Sequence, residues 1–316
     1  MENISLLNSQ IILTGILEIG DFKYPYVIGI LTFYVVVTIL CSINLYVICL
    51  EESLYQPMFI FFSNLLLNEI YGGTVFVPKL LIDVLGGRYL ISVVECLAQG
   101  FFMQGVPCIE LLTFTTMAYD RYLAIGHALR YPILMTNKIA LNIILVIYIY
   151  IIIGIGIGVI LASRQRLCGV KINSMFCETI SLNHLSCNSN TYGFTYDVTM
   201  LVGCLVIVLY CYIMTFVACF SISRDASKKA IHTLITHIIS FSTYLSSFVF
   251  IMFRYRFEEG AQTVTSHVLS SMPGTVSYFM NPLIYGIRTE ALRNKIIQRL
   301  HINVKKKTDA GKKNTK

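Results

Sequence analysis

The sequence predicts an all-α membrane protein, a bundle of seven membrane-crossing helices followed by a short amphipathic helix. Three observations predict it. Of 316 residues, 56% are apolar and only 13% charged, with a mean hydropathy of +0.70; a water-soluble domain is nearer half apolar and a quarter charged. Seven long apolar runs follow one another, at 25–50, 57–82, 96–123, 139–162, 194–221, 230–253 and 262–286. A hydrocarbon core about 30 Å thick takes roughly 20 residues of helix, so each run is long enough to cross it. The positive excess (net +7) sits in 288–316, where ten Lys or Arg stand against Glu290 and Asp309.

Each segment has its own justification. Residues 1–24 form an N-terminal segment whose start, Met1–Asn8, carries no basic residue and leads into a short apolar run. No cleavable signal peptide is expected, so the helices themselves direct insertion. Residues 25–286 hold the seven runs; polar residues interrupt the third, sixth and seventh, which implies an interior worth lining. No internal repeat is evident, against a transporter built from duplicated halves. Residues 287–300 set Ala291, Leu292, Ile296, Ile297 and Leu300 at helical spacing with Arg293, Lys295 and Arg299, the pattern of a helix lying in a membrane surface. Residues 301–316 are Lys-rich and expected to be disordered.

Lys and Arg in the loops set the orientation. With the N-terminus outside, Arg121, Arg130, Lys138, Arg224, Lys228, Lys229 and the tail face the cytoplasm. The opposite side carries Lys23, Lys79, Arg88, Arg164, Arg166, Lys171, Arg254 and Arg256, and the tail decides the balance. Glu51 and Glu52, in the first cytoplasmic loop, do not help, although acids weigh little in this rule. Asn3-Ile4-Ser5 is an N-x-S/T sequon that this orientation places outside, where glycosylation occurs. The basic tail reads as a partner for anionic membrane lipid, with no nucleic-acid partner expected. The expectation is a multi-pass plasma-membrane protein.

Of ten cysteines, Cys41, Cys49, Cys108, Cys204, Cys211 and Cys219 lie in apolar runs as small buried packers. Cys96, Cys168, Cys177 and Cys187 lie at helix ends or in a polar loop, where an oxidising exterior pairs them; sequence alone leaves three pairings open.

Several motifs go further. Met117-Ala118-Tyr119-Asp120-Arg121-Tyr122-Leu123-Ala124-Ile125 closely resembles the M-A-Y-D-R-Y-x-A-I signature of olfactory receptors, a family of rhodopsin-like G-protein-coupled receptors. Pro57-Met58-Phe59-Ile60-Phe61-Phe62-Ser63-Asn64-Leu65 is similar to the family's P-M-Y-x-F-L-S-N-L, and Pro78-Lys79-Leu80-Leu81 also matches. Lys229-Ala230, Thr233 and His237 resemble its K-A-x-x-T-C-x-S-H, and Met280-Asn281-Pro282-Leu283-Ile284-Tyr285 fits M-N-P-x-I-Y. The motifs occur in order from Asn44 to about Lys295. Ile43, Leu234, Glu69 and Gly126-His127 depart from the pattern without removing a charge the mechanism needs, and suggest a divergent branch such as one from aquatic vertebrates.

The resemblance implies an odorant receptor that binds a small, mostly apolar molecule within the bundle. It also implies activation of a heterotrimeric G protein of the stimulatory olfactory type, raising cyclic AMP. Asp120, Arg121 and Tyr122 form the G-protein switch, in which Asp120 holds Arg121 until ligand releases it. Asn281, Pro282 and Tyr285 complete the switch, Pro282 permitting a kink that lets Tyr285 change its packing. Glu69 and Glu110 lie deep in apolar helices and cannot both ionise cheaply. The resemblance aligns Glu69 with a sodium-binding acid facing Glu110, and with Asn281 and Asn44 this makes an oxygen cage for a sodium ion or a proton. The alternative is two independent protonated acids, and no other cofactor is expected. The resemblance pairs Cys96 with Cys177 and Cys168 with Cys187, fixing the long loop as a lid.

For the ligand, Gly100, Met103, Gln104, Pro107 and Cys108 share one face of the third helix under the lid, apolar with a single amide. Tyr244, Phe248 and Met252 of the sixth complete the walls; the alternative is ordinary core or lipid-facing packing. Met103 stands where amine receptors place an acid, so an amine ligand is not expected, and the seventh run has no Lys for a retinal Schiff base. Arg254 and Arg256, with Glu258 and Glu259 beyond, either capture a carboxylate or form a self-paired solvated rim. An ion channel or transporter using Glu69 and Glu110 leaves the Asp120–Tyr122 and Asn281–Tyr285 motifs unexplained. An enzyme is not expected: there is no H-E-x-x-H, G-x-S-x-G or Walker A loop, and the six histidines lack metal spacing. Within receptors, the runner-up is a chemoreceptor for a metabolite.

Overall fold

In the computed structural model the apolar runs become seven long helices. It describes residues 10–172, 174–177, 179–187, 191–257 and 264–299, with side chains described throughout except at 18, 179, 180, 184 and 251–275. The helices are α1 (Lys23–Leu50), α2 (Pro57–Gly86), α3 (Val93–Gly126), α4 (Asn137–Ser163), α5 (Tyr192–Cys219), α6 (Arg224–Phe257) and α7 (Val264–Arg288). An eighth, α8, covers 290–299. By length and composition α1 to α6 each qualify as a membrane span, and α7 adds 25 residues.

Local chemistry sets the boundaries. α2 begins at Pro57, whose fixed φ and missing N–H suit a first turn. It ends at Gly87, which turns left-handed (φ 62°) and donates its N–H back to the carbonyls of Asp83 and Val84. α3 starts three residues before its apolar run because Ser92 and Glu95 build a capping box: Ser92 Oγ accepts from the Glu95 N–H (3.2 Å) and Glu95 Oε2 accepts from the Ser92 N–H (3.0 Å). Thr136 caps α4 through the Ile139 N–H (3.3 Å).

α3 lies at the centre. It packs against α2, α4 and α5, while α6 pairs with α7. Over their most apolar windows 56% of α3 is buried inside the protein against 17% of α1, which marks α1 as peripheral. The polarity of the bundle is reversed from that of a soluble protein. Leu145, Val146, Ile149, Ile152 and Ile153 of α4 are exposed, while Glu69, Glu110, Asp120, Asp197 and Asn281 are buried. In water such an apolar surface drives aggregation; in lipid it is the solvated face, and polar contacts hold the interior. Cys49 corrects its sequence expectation: it is exposed near the end of the peripheral α1, where no helix covers it.

One end of the bundle carries structure that the all-α pattern does not suggest. β1 (Gln10–Leu13), from the N-terminal segment, pairs antiparallel with β2 (Leu90–Ser92) and parallel with β3 (Lys171–Ile172), in the order β2-β1-β3. Ile11 and Leu13 alternate into a cluster that includes Cys96 and Cys177. The α4–α5 loop lies over this end as a cap, with its short helix Thr179–Leu185 against α3, α4 and α5. At the opposite end α8 turns Leu292 into the core and leaves Ala291 and Ile297 exposed. Asn3, Leu300 and the tail lie outside the described residues.

Candidate functional site

Midway through the bundle, four helices converge on two buried acids. Glu69 of α2 and Glu110 of α3 are each 2% exposed, and Asn281 of α7 is 0% exposed. Asn281 Nδ2 donates to Glu69 Oε1 (2.8 Å) and to Glu110 Oε1 (2.9 Å), so one amide bridges both carboxyl groups. Ser277 Oγ donates to Glu110 Oε1 (2.8 Å), and Cys41 Sγ of α1 donates to Glu69 Oε2 (3.2 Å). The acids are therefore one cluster. Asn44 does not reach them; its Nδ2 donates to the carbonyls of Leu40 (2.8 Å) and Pro282 (3.4 Å), tying α1 to the proline of α7. Cys41 and Ser277 are the members that sequence reasoning missed, since a thiol and a hydroxyl in apolar helices carry no motif.

Among the described residues no group of three or more His, Cys, Asp or Glu side chains is arranged to hold a metal. Asn281 Oδ1, however, is buried without a hydrogen-bond partner among them. Were that amide to turn its oxygen toward the two carboxyl groups, the three would make an all-oxygen donor set, which suits a small hard cation.

Toward the α8 end, Asp120 is fully buried and doubly held. Its Oδ2 accepts from Arg121 Nη2 (2.9 Å) and its Oδ1 from the hydroxyl of Tyr131 (2.7 Å). Tyr131 opens the short helix Tyr131–Leu134 in the α3–α4 loop. Its phenol is pushed up from the ordinary tyrosine value by burial and then by the Asp120 charge, so it remains a donor. Tyr122, by contrast, turns away toward α5, its ring against Tyr210 and its hydroxyl 3.1 Å from His127 Nε2.

Arg121 is near enough to His237 of α6 and Tyr285 of α7 for its charge to act on both. His237 Nδ1 meets the Tyr212 hydroxyl at 2.5 Å, and its ring stands edge-on to Phe114 and Tyr285. Tyr285 packs against Phe62 with ring centroids 4.7 Å apart. α7 thus runs unbroken from the acid pair, through Pro282, to the neighbourhood of Arg121. Arg121 Nε and His237 Nε2 have no hydrogen-bond partner among the described residues.

Toward the sheet end, Gln104 and Pro107 of α3 reach α5 and α6. Gly100 and Cys108 are buried and Met103 half-buried. Pro107 offers its carbonyl to the Tyr244 hydroxyl (2.9 Å), and Tyr244 stacks on Phe248. The Met252, Arg254 and Arg256 side chains, and Glu258 and Glu259 altogether, lie outside what is described. Gln104 finds a partner that sequence reasoning missed: its Nε2 lies 3.1 Å from both carboxylate oxygens of Asp197, 4% exposed on α5. The available signal was a single acid among the apolar residues of the fifth run. The disulfides are Cys96–Cys177, joining the start of α3 to the cap, and Cys168–Cys187, closing the cap loop on itself.

Glu51, unhelpful to the orientation rule, has a structural task. It pairs with Lys295 (2.9 Å) and Arg299 (2.8 Å), clamping α8 to the α1–α2 loop. These two cations, Lys295 before Arg299, hold its carboxyl below the ordinary glutamate value.

A family model described as olfactory receptor matches residues 30–303. Human olfactory receptor 8A1 is 30% identical over 301 residues, covering 90% of this chain and 88% of the relative. Mouse olfactory receptor 6Z7 is 27% identical, covering 92% and 95%, and human olfactory receptor 8B3 is 29% identical, covering 92% and 96%. With motifs, helices and matched span in agreement, the chain belongs to the olfactory receptor family: it is a multi-pass, seven-helix G-protein-coupled receptor for odorants, not an enzyme.

Proposed function

We propose that this receptor binds a small, mostly apolar odorant between α3, α5 and α6 and activates a stimulatory olfactory G protein, raising cyclic AMP. The ligand contacts are Gly100, Met103, Gln104, Pro107, Cys108, Tyr244, Phe248 and Met252. The N-terminus, with a glycan on Asn3, faces outside; α8 and the basic tail lie on the anionic inner leaflet. No nucleic acid takes part.

The observation that carries this reading is the course of α7. Asn281 holds both buried acids, and Tyr285, one turn on, packs on Phe62 and stands edge-on to His237. Odorant that bears on Tyr244 alters its bond to the Pro107 carbonyl and so couples α6 to α3. Packing at the other end then changes around His237, Tyr212 and Tyr285, and Arg121 leaves Asp120 for the G protein. Glu69, Glu110 and Asn281 would hold a sodium ion or a proton, which neutralises the buried acids and favours the resting packing. Moving the receptor from mostly off to mostly on takes about 5.5 kcal/mol of differential ligand affinity, which weak odorants supply only in part.

The test is cyclic AMP in cells expressing the chain, screened with pooled odorants beside Arg121→Ala at matched surface expression. A ligand-dependent rise abolished by the substitution supports the switch. A rise that survives it refutes the role of Arg121.

A further inference from the structure

The expectation against an amine ligand rested on Met103 of α3, and the structure supplies an acid from α5 instead. Asp197 is 4% exposed, and among the described residues its carboxylate accepts hydrogen bonds from Gln104 Nε2 and from no cation. A carboxylate offers about four lone-pair sites, so one amide group leaves most of its capacity unused. Gln104 also lines a cavity between α3, α4 and α5, of about 10 Å³, room for a group the size of a water molecule or an ammonium.

The other walls of this cavity are aromatic and acceptor-rich. Tyr192 and Tyr196 lie with ring planes 16° apart and centroids at 6.2 Å. Tyr196 comes so close to α4 that a Cβ added at Gly154 would stand 2.5 Å from its ring, so only glycine admits it there. Tyr192 donates its hydroxyl to the Gly154 carbonyl (3.2 Å). From the cap above, Asn183 lines the same cavity, and its buried Oδ1 has no partner among the described residues. These walls, an unpartnered amide oxygen and tyrosine faces, together with the Asp197 carboxylate that Gln104 separates from the cavity, complement a group with several donors, no acceptor and a positive charge.

We propose that Asp197, with Gln104 holding its place in the unliganded receptor, is the anchor for the ammonium of a primary amine odorant, whose apolar chain extends toward Cys108 and Tyr244. The ammonium displaces the Gln104 amide from the carboxylate, and Gln104 turns its oxygen to accept one of the ammonium protons. This rests on the reading of α3, α5 and α6 as the ligand region and names the ligand's polar group.

The test is direct binding to the full-length receptor in lipid nanodiscs at neutral pH. The probes are short- and medium-chain primary alkylamines, each beside the alcohol and carboxylic acid of the same chain, with G-protein activation measured in parallel. Amines bind the unaltered receptor in preference to matched alcohols and acids. Asp197→Asn weakens amine binding ~30-fold or more, as expected when one partner of a buried charge pair is removed. Asp197→Glu retains binding. Gln104→Leu, which removes one acceptor of the ammonium but leaves the carboxylate, lowers amine affinity only a few-fold, whereas a purely structural Gln104–Asp197 pair would lose it altogether. Should Asp197→Asn fail to fold, the Gln104→Leu and Asp197→Glu results decide.

The proposal is overturned if no amine binds folded receptor, if amines bind Asp197→Asn as tightly, or if alcohols and acids show the same dependence on Asp197. Asp197-dependent amine binding without G-protein activation keeps the site and removes the signalling reading.

Discussion

Tyr131→Phe isolates one bond of the proposed resting switch. The substitution deletes a single oxygen, whose hydroxyl donates to Asp120 Oδ1 at 2.7 Å, and leaves the Arg121 bond to Oδ2 in place. A hydrogen bond to a buried charged group contributes about 1.5–3 kcal/mol, and here it forms in the packing that holds Arg121 against Asp120. Losing about 2 kcal/mol from the resting state alone multiplies the active-to-resting ratio ~30-fold; a receptor ~0.1% active without ligand becomes about 3% active. The assay is ligand-free G-protein activation, normalised to surface expression, for the unaltered chain, Tyr131→Phe and Asp120→Asn. The expected order is a low baseline, a clear rise and a larger rise, because Asp120→Asn weakens both bonds. Basal activity unchanged in Tyr131→Phe at equal surface expression refutes the assignment of this bond to the resting state.

Three further outcomes follow from the geometry. The Cys96–Cys177 bridge spans 81 residues and Cys168–Cys187 spans 19; loop-closure entropy puts their contributions at upper bounds of about 4.5 and about 3 kcal/mol. Serine pairs should therefore lower Tm more at the first than at the second, and the reverse order would show that the cap's own loop matters more than its tie to α3. Gly286→Ala sets a Cβ 2.9 Å from Asn44 Oδ1, a side chain already held by the Leu40 carbonyl, and should cost about 1–3 kcal/mol in thermal stability, partly restored by Asn44→Ser. An unchanged Tm would mean that Asn44 gives way freely. Glu51, whose carboxyl is held below its ordinary value, keeps α8 clamped above pH about 4.3 and releases it as pH falls through the lowered value. Hydrogen exchange over 290–299 should quicken on that acidification and, at neutral pH, in Glu51→Gln; protection unaltered by the substitution would discard the clamp.

Sequence by itself determined the features that depend on neighbours along the chain. A run of apolar residues must satisfy its backbone internally in lipid, so the runs found by hydropathy became α1 to α7 within a few residues at most ends. The amphipathic spacing of 287–300 likewise became α8, with Leu292 inward. The Asp120–Tyr122 and Asn281–Tyr285 strings were legible because their order in the chain is itself the signal. What the tertiary structure decided are pairings between distant residues that no local period encodes. Gln104 meets Asp197 across 93 positions, Asn281 reaches Glu69 across 212, and Arg299 reaches Glu51 across 248. β1 takes its partners from two loops far from it in sequence, although its four residues carry no strand pattern strong enough to announce them. Tyr131 is only 11 residues from Asp120, yet the loop must fold back on α3 before they touch. Hydrophobicity selects which segments cross the membrane; inside lipid it no longer distinguishes one helix neighbour from another, so the polar contacts that choose among them exist only once the bundle has assembled.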